Sequence, residues 1–306
     1  MFQSVIVTNY RGDSLELPLV WPNDSGLLLY KIEGISPGEV TVNSQDYAVI
    51  DGGVFNSSRI GTRTITLHFY YDFSPMIESA RHRAYRYFPV KEQVRLDFMT
   101  DERRLSIYGW VQENDTQIFS KQEEGAVTVI CPDPYFYEMS DTAFVLGEGS
   151  AEFEFPFSNE SLTEPLLLIG NVGNQYIYDV RYNGDIEVGA MIRVRFDTPV
   201  EQITPIEIHD LMDRTMLELD FSQIQSSSGV TFNQYGSIVI DSVRGQKDIY
   251  YEYFGTRKSL LGAFDIIHFP WMYLSPGENQ FVFVMDENNY DNVTITVEHS
   301  GAYGGV

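Results

Sequence analysis

The chain has 306 residues, 43% of them apolar, and sets 20 Lys and Arg against 44 Asp and Glu for a formal charge of −24. That length is generous for one β-domain and comfortable for two, with enough apolar side chains for a sizeable core. So acidic a chain is a poor partner for nucleic acid, which needs cations to displace its condensed counterions, and sequence-specific nucleic-acid binding is not expected. The charge is uneven: residues 1–140 hold 12 Lys and Arg against 19 Asp and Glu, and the remainder 8 against 25. Cys131 is the single cysteine, so neither an internal disulfide nor a Cys-rich metal site is available. No basic segment followed by an apolar run opens the chain, and no stretch approaches the ~20 apolar residues of a membrane helix.

Period-two alternation of apolar and polar residues dominates from the N-terminus. It predicts strands over Val5–Thr8, Leu15–Leu19, Thr64–Tyr71, Gln93–Met99, Arg104–Trp110 and Ala126–Cys131, each with one buried face. Arg11-Gly12-Asp13, Asp51-Gly52-Gly53 and Asp101-Glu102 read as turns, the first more economically so than as an adhesion tripeptide. Val127, Val129 and Cys131 share a strand face, which makes Cys131 a small buried hydrophobe. One helix is predicted over about residues 74–87, with Ser74 as N-cap and Pro75 at the first helical position. Its stripe Ile77, Ala80, Ala84 and Tyr87 faces a core. Its other side holds the most basic stretch of the chain, and Arg81, Arg83 and Arg86 are candidate contacts for a subunit or partner; a solvated face neutralised by Glu78 is the plainer alternative.

Residues 143–164 change character, with Gly, Ser and Glu clustered, and read as a linker plus a first strand at Glu152–Phe157. Beyond it strands are expected at Leu166–Ile169, Tyr176–Tyr182, Ile186–Phe196, Ile206–His209, Met216–Phe221, Ser237–Asp241, Asp248–Phe254, Gln280–Met285 and Val293–His299. A hairpin turn is expected at Tyr182-Asn183-Gly184-Asp185, and a sharp loop at Ser275–Asn279. Many short strands with almost no helical period read as a β-sandwich. The fold class is therefore all-β with one helix, in two domains: residues 1–142 with the helix, and residues 165–306 as a sandwich.

Little in the sequence carries chemistry. The five histidines are scattered, with no pair at metal-binding spacing, and no phosphate-cradling glycine loop or nucleophile elbow is present. Among 44 carboxylates no catalytic pair is singled out. No cofactor and no enzymatic turnover are expected. Trp271 and Tyr273 are candidates for stacking on a sugar ring, although burial in the sandwich is the commoner fate of such residues.

Several stretches, in order, resemble the distal tail (Dit) protein family of long-tailed, non-contractile bacteriophages. They are Asp51–Gly61 ahead of the Thr64–Tyr71 strand, the helix leading into Val94–Phe98, Tyr108-Gly109-Trp110-Val111, and Cys131-Pro132-Asp133-Pro134-Tyr135-Phe136-Tyr137. In the second half they are Asn171–Asn174, Thr204–Ile208, Gly236–Asp241, Leu274–Asn279 and the ending Tyr303-Gly304-Gly305-Val306. The resemblance implies a ring-forming first domain, a galectin-like second domain, and a homo-hexamer at the tail tip with a channel for DNA. It implies as partners the tail tube protein, a tail-tip or tail-fibre protein and, in some relatives, receptor-binding proteins. The location so implied is the virion, after synthesis in the host bacterial cytoplasm. A carbohydrate-binding module or adhesin with a sugar site on the sandwich is the competing expectation.

Overall fold

Strands whose alternate side chains are apolar must bury one face, and here they do so in two separate units: Met1–Ser140 with Ala302–Val306, and Asp141–Gly301. A computed structural model describes residues 2–19, 25–71, 77–117, 123–139, 142–146, 176–286, 289 and 292–306. The expected N-cap at Ser74, the strands at Glu152–Phe157 and Leu166–Ile169, and the Asn171–Asn174 stretch lie outside these residues.

The first unit contains β1 (Phe2–Asn9), β2 (Ser14–Pro18), β3 (Leu27–Glu33), β4 (Val40–Asp46), β5 (Gly53–Ile60), β6 (Arg63–Tyr71), α1 (Ile77–Tyr87), β7 (Gln93–Thr100), β8 (Arg104–Thr116), β9 (Glu124–Cys131) and β10 (Phe136–Glu138). An antiparallel sheet runs in the order β2-β1-β7-β8-β9-β6-β3. Its inward residues include Ile65, Leu67 and Phe69 of β6, Val94, Leu96 and Phe98 of β7, and Leu105 and Ile107 of β8, all essentially inaccessible to water. Each such side chain contributes about 1.5–3 kcal/mol by leaving water. The helix closes this core with Ala80 and Ala84, whose small side chains let its backbone lie close, and Phe88 follows just past its end. Asn114 donates to the Phe88 carbonyl and Asn9 to that of Arg86, so carbonyls left over at the helix end are satisfied by side chains, while the Ala84 carbonyl accepts from both Phe88 N and Asn114. Cys131 is fully buried, and loss of water around the thiol pushes its pKa up to about 12. A side chain at Gly109 would collide with Val129 and Cys131, which explains the glycine in that strand.

The Cys131–Tyr137 signature finds its reason in Arg63. This buried guanidinium donates to four main-chain carbonyls: Pro134 at 2.6 Å, Gly34 at 2.6 Å, Ser36 at 2.7 Å and Gly304 at 2.6 Å. It also lies over the Phe136 ring, 4.7 Å from its centroid. One cation thus ties together the signature turn, the segment after β3, and the end of the chain.

The second unit contains β11 (Thr142–Leu146), β12 (Tyr176–Tyr182), β13 (Val188–Gly189), β14 (Met191–Phe196), β15 (Ile206–Asp210), β16 (Thr215–Leu219), α2 (Phe221–Ser228), β17 (Ser237–Asp241), β18 (Asp248–Tyr253), β19 (Thr256–Ser259), β20 (Tyr273–Leu274), β21 (Gly277–Val284) and β22 (Val293–His299). A six-stranded sheet β11-β22-β14-β17-β18-β19 and a four-stranded sheet β12-β21-β15-β16 make a sandwich. Ile192, Val194, Ile238, Ile240, Ile295 and Val297 of the first are buried, as are Val180, Ile206, Ile208, Leu217, Phe281 and Phe283 of the second. The rings of Tyr182 and His299 meet edge-on between the two sheets, 5.4 Å apart. A last strand, β23 (Ala302–Tyr303), returns to the first unit and pairs with β10.

Three local expectations are corrected. Asn183-Gly184 does not close a hairpin: β12 pairs along its length with β21. The span Ile186–Phe196 is two strands, because β13 pairs with β20 whereas β14 belongs to the six-stranded sheet. At the break, Gly189 passes so close to the Ser242 carbonyl that no side chain would fit. The strand expected at Met216–Phe221 ends at Leu219, and α2 follows. Asp220 caps that helix by accepting from Gln223 N at 3.0 Å, and Gly229 ends it at φ 68°.

Candidate assembly surface

Alternation predicts none of β3, β10 or the hairpin β4–β5, and among these the hairpin stands apart from the main sheet. Its strands pair only with each other, from Val40↔Ile60 to Asp46↔Gly53, with a bulge at Asn43/Ser44. Every residue of β4 is exposed, and in β5 only Ile60 is even partly covered. At its end, Tyr47 N donates to Gly52 O at 3.0 Å, and Gly52 takes φ 103°, which suits a residue without a side chain. The apolar side chains here stand in water: Val49 is 93% exposed, Ile50 68% and Phe55 62%. A two-stranded hairpin is marginal by itself in water, and apolar residues grouped on such an element mark a contact surface.

The terminal strands of the main sheet, β2 and β3, lie beside each other without a ladder between them, so the sheet curls toward closure and the hairpin β4–β5 stands apart from it.

The basic face of α1 is already engaged within its own unit. Arg83 donates to the Ser25 carbonyl at 2.5 Å. Arg81 Nε lies 3.8 Å from Glu123, an ion-pair distance with both groups largely covered. Arg86 is exposed and meets Asp13 at 3.0 Å, and its hydrogen bond holds the Asp13 carboxyl below the ordinary value of 3.8. Asp13 belongs to Arg11-Gly12-Asp13, which is a turn: Asn9 accepts from the N–H groups of Arg11 and Asp13, and Gly12 takes φ 87°. His82, Arg83 and Arg86 line a shallow depression of about 490 Å³ with Leu15, Ser79 and Tyr87.

Trp271 and Tyr273 lie in the second unit, partly covered. The Lys247 ammonium sits over both rings, 5.1 Å and 5.2 Å from their centroids, and the Phe269 ring is tilted against Trp271 at 4.8 Å. The rings are thus paired with a cation of the same chain. Among the described residues no group of three or more His, Cys, Asp or Glu could hold a metal ion, and no helix is long and apolar enough to cross a membrane.

No protein-family model and no curated protein sequence matches the chain. Solved structures do. The crystal structure of the SPP1 Dit (gp 19.1) protein, described as a paradigm of the hub adsorption apparatus in phages infecting Gram-positive bacteria, superposes with a TM-score of 0.63. The two are 14% identical, over 97% of this chain and 98% of that one. A chain of the phage P2 baseplate in its activated, calcium-bound conformation gives a TM-score of 0.50 at 13% identity, over 98% of each chain. The fold is predominantly β and Dit-like along nearly the whole chain.

Proposed function

We propose that this protein is a structural subunit of a phage tail tip or baseplate. In this reading six copies close into a ring around a channel for DNA, joining the tail tube to the tip, tail-fibre or receptor-binding apparatus. Its place is the virion, after synthesis in the host bacterial cytoplasm, and its work is assembly without turnover. Fold alone does not fix function. What carries the reading is the Dit-like fold over nearly the full length together with a hairpin whose apolar residues find no cover within their own chain. Copies of one chain in a closed ring complete each other's edges, which is the usual way to satisfy such surfaces. Residues on the exposed side of α1, with Arg86 foremost, make a second contact to acidic groups of a neighbour; Arg81 and Arg83 hold the helix in position for it.

The test is the mass of the full-length protein in solution, with negative-stain images. A six-fold ring is expected. Replacing Val49, Ile50 and Phe55 together by Ser abolishes it and leaves a folded monomer, because each buried apolar side chain is worth about 1.5–3 kcal/mol at the contact. Replacing Arg81, Arg83 and Arg86 by Ser weakens the ring most at low salt, where surface charges are least screened. A protein that stays monomeric at high concentration, alone and with tail neighbours, overturns the proposal.

A further inference from the structure

Arg63 is a buried cation without a counter-charge. It is only 6% exposed, and its four hydrogen-bond acceptors are neutral main-chain carbonyls. Burial lowers its pKa from the ordinary guanidinium value, and the side chains that bear on its charge are the Cys131 thiol and the Tyr135 phenol. Among the described residues no Asp or Glu forms an ion pair with it, in a chain that holds 44 of them. A buried charge is costly unless an opposite charge meets it.

A guanidinium carries five N–H groups. Nε uses its one on Pro134, Nη1 its two on Gly34 and Ser36, and Nη2 one on Gly304. The second N–H of Nη2 has no acceptor among the described residues. Arg63 borders a cavity of about 470 Å³ at the root of the β4–β5 hairpin, between Gly38, Glu39 and Thr41 on one side and Ile60 on the other. A side chain at Gly38 would begin 3.5 Å from Nη2, so glycine there leaves the way to the cation open. Glu39 is the one carboxylate of the lining, and it is exposed.

The charge to be met is single. A monoanion with two acceptor oxygens balances it, whereas a phosphate dianion would leave a negative charge uncompensated beside it. Charge-assisted hydrogen bonds of guanidinium to carboxylate are among the strong ones. Ser36, Thr62 and Thr64 also line the cavity, and their hydroxyls suit the second carboxylate oxygen. The volume is in the range of pockets that bury a whole ligand, ~300–1,000 Å³, and far exceeds a bare carboxylate. The anion therefore arrives on a larger body.

We infer that this cavity is a binding site for a carboxylate of another protein chain, an Asp or Glu side chain that enters past Gly38 and completes Arg63. The chain that bears it packs on the hairpin, because Thr41 and Ile60 belong to both the cavity and the hairpin strands. Under the assembly reading that chain is a neighbouring copy, and the inference rests on that reading only for the identity of the donor.

The experiment titrates the full-length chain, with Val49, Ile50 and Phe55 replaced by Ser so that no neighbour fills the cavity, by calorimetry. The probes are a blocked Gly-Glu-Gly peptide, the same peptide with Gln for Glu, acetate and inorganic phosphate. The Glu peptide is expected to bind about tenfold or more tightly than the Gln peptide, a difference of about 1.4 kcal/mol, and acetate to compete with it. Gly38→Asp sets a carboxylate of the same chain beside Nη2, with the Ile60 side chain, 3.2 Å from the new Cβ, giving way. It abolishes peptide binding and raises the thermal midpoint of the first unit, whereas a misfolded variant would lower it. Glu39→Gln removes a like charge from the rim and tightens peptide binding about twofold. The inference is overturned if the Glu and Gln peptides bind alike or not at all, if phosphate binds and the carboxylates do not, or if Gly38→Asp leaves peptide binding intact or fails to raise the midpoint. Particle mass read on the same samples reports on assembly, and peptide binding on this site, so the two readings fail separately.

Discussion

The two units solve the exposure of β-structure in opposite ways. In the first, polar surfaces are ordinary and a hairpin stands out with Val49, Ile50 and Phe55 in water. In the second, the outward face of a sheet is closed off by its own salt bridges, Arg193–Glu252–Arg257 and Arg195–Asp197. A surface whose apolar side chains lack cover is open to association, whereas one whose charges are paired internally is not driven to it. The two surfaces can be perturbed independently of each other.

The largest effect on stability is expected at Arg63. Arg63→Ala strips four carbonyls of their charged donor and opens a gap beneath Phe136, a loss of about 3–5 kcal/mol. Calorimetry of the full chain should show the first unit's transition falling while the second unit's is unchanged; a uniform shift of both would erase the contrast between them. Removal of residues 302–306 comes next. It deletes the β10–β23 pairing, the buried Tyr303 ring with its 2.6 Å bond to Glu138, and the Val306 N–H to Ile35 O bond. The loss is about 2–4 kcal/mol, again confined to the first unit although the cut is made beyond the second.

The smallest effect is one of pH. Burial raises the carboxyls of Asp97 in the first unit and of Asp210 and Asp241 in the second above the ordinary 3.8. A carboxyl that holds its proton more tightly folded than unfolded gains stability as pH falls through its folded pKa, the gain being complete below 3.8. Glu252 acts oppositely: the Arg193 hydrogen bond lowers it below 4.5, so its contribution is present above that value and lost as pH falls through its folded pKa. Urea midpoints should therefore rise from pH 7 toward the acid side before falling. Asp210→Asn, whose amide oxygen still accepts from the N–H groups of Met212 and Asp213, should flatten the rise in the second unit alone.

Alternation made the strands that face a core legible. The expected Thr64–Tyr71 and Gln93–Met99 differ from β6 and β7 by one residue at an end. It failed where apolar residues do not alternate. β8 runs on to Thr116 because β9 pairs with its polar end, and Gln112–Thr116 gave no sign of that. Strands β4 and β5 were missed for the same reason: Val40–Asp46 faces no core, so nothing enforces a period. The capping pair Asp220 and Gly229 marks α2 plainly, but Leu217, Leu219 and Phe221 alternate with Glu218 and Asp220, which suggested that the preceding strand went further. Arg81, Arg83 and Arg86 were visible as a basic stretch, whereas the internal partners of Arg81 and Arg83 come from distant segments. The cavity over Arg63 draws its walls from residues 34–41, 60–64 and 134, which no single stretch of sequence contains.

The return of β23 to the first unit has a consequence during synthesis. Strand β10 and the Arg63 site wait for residues that the ribosome reads only after all of the second unit. The first unit is therefore completed last, although it begins first. A chain broken off anywhere in the second unit would carry the exposed hairpin on an unfinished scaffold. Translation order itself thus holds back the first unit until residues 302–306 have been made.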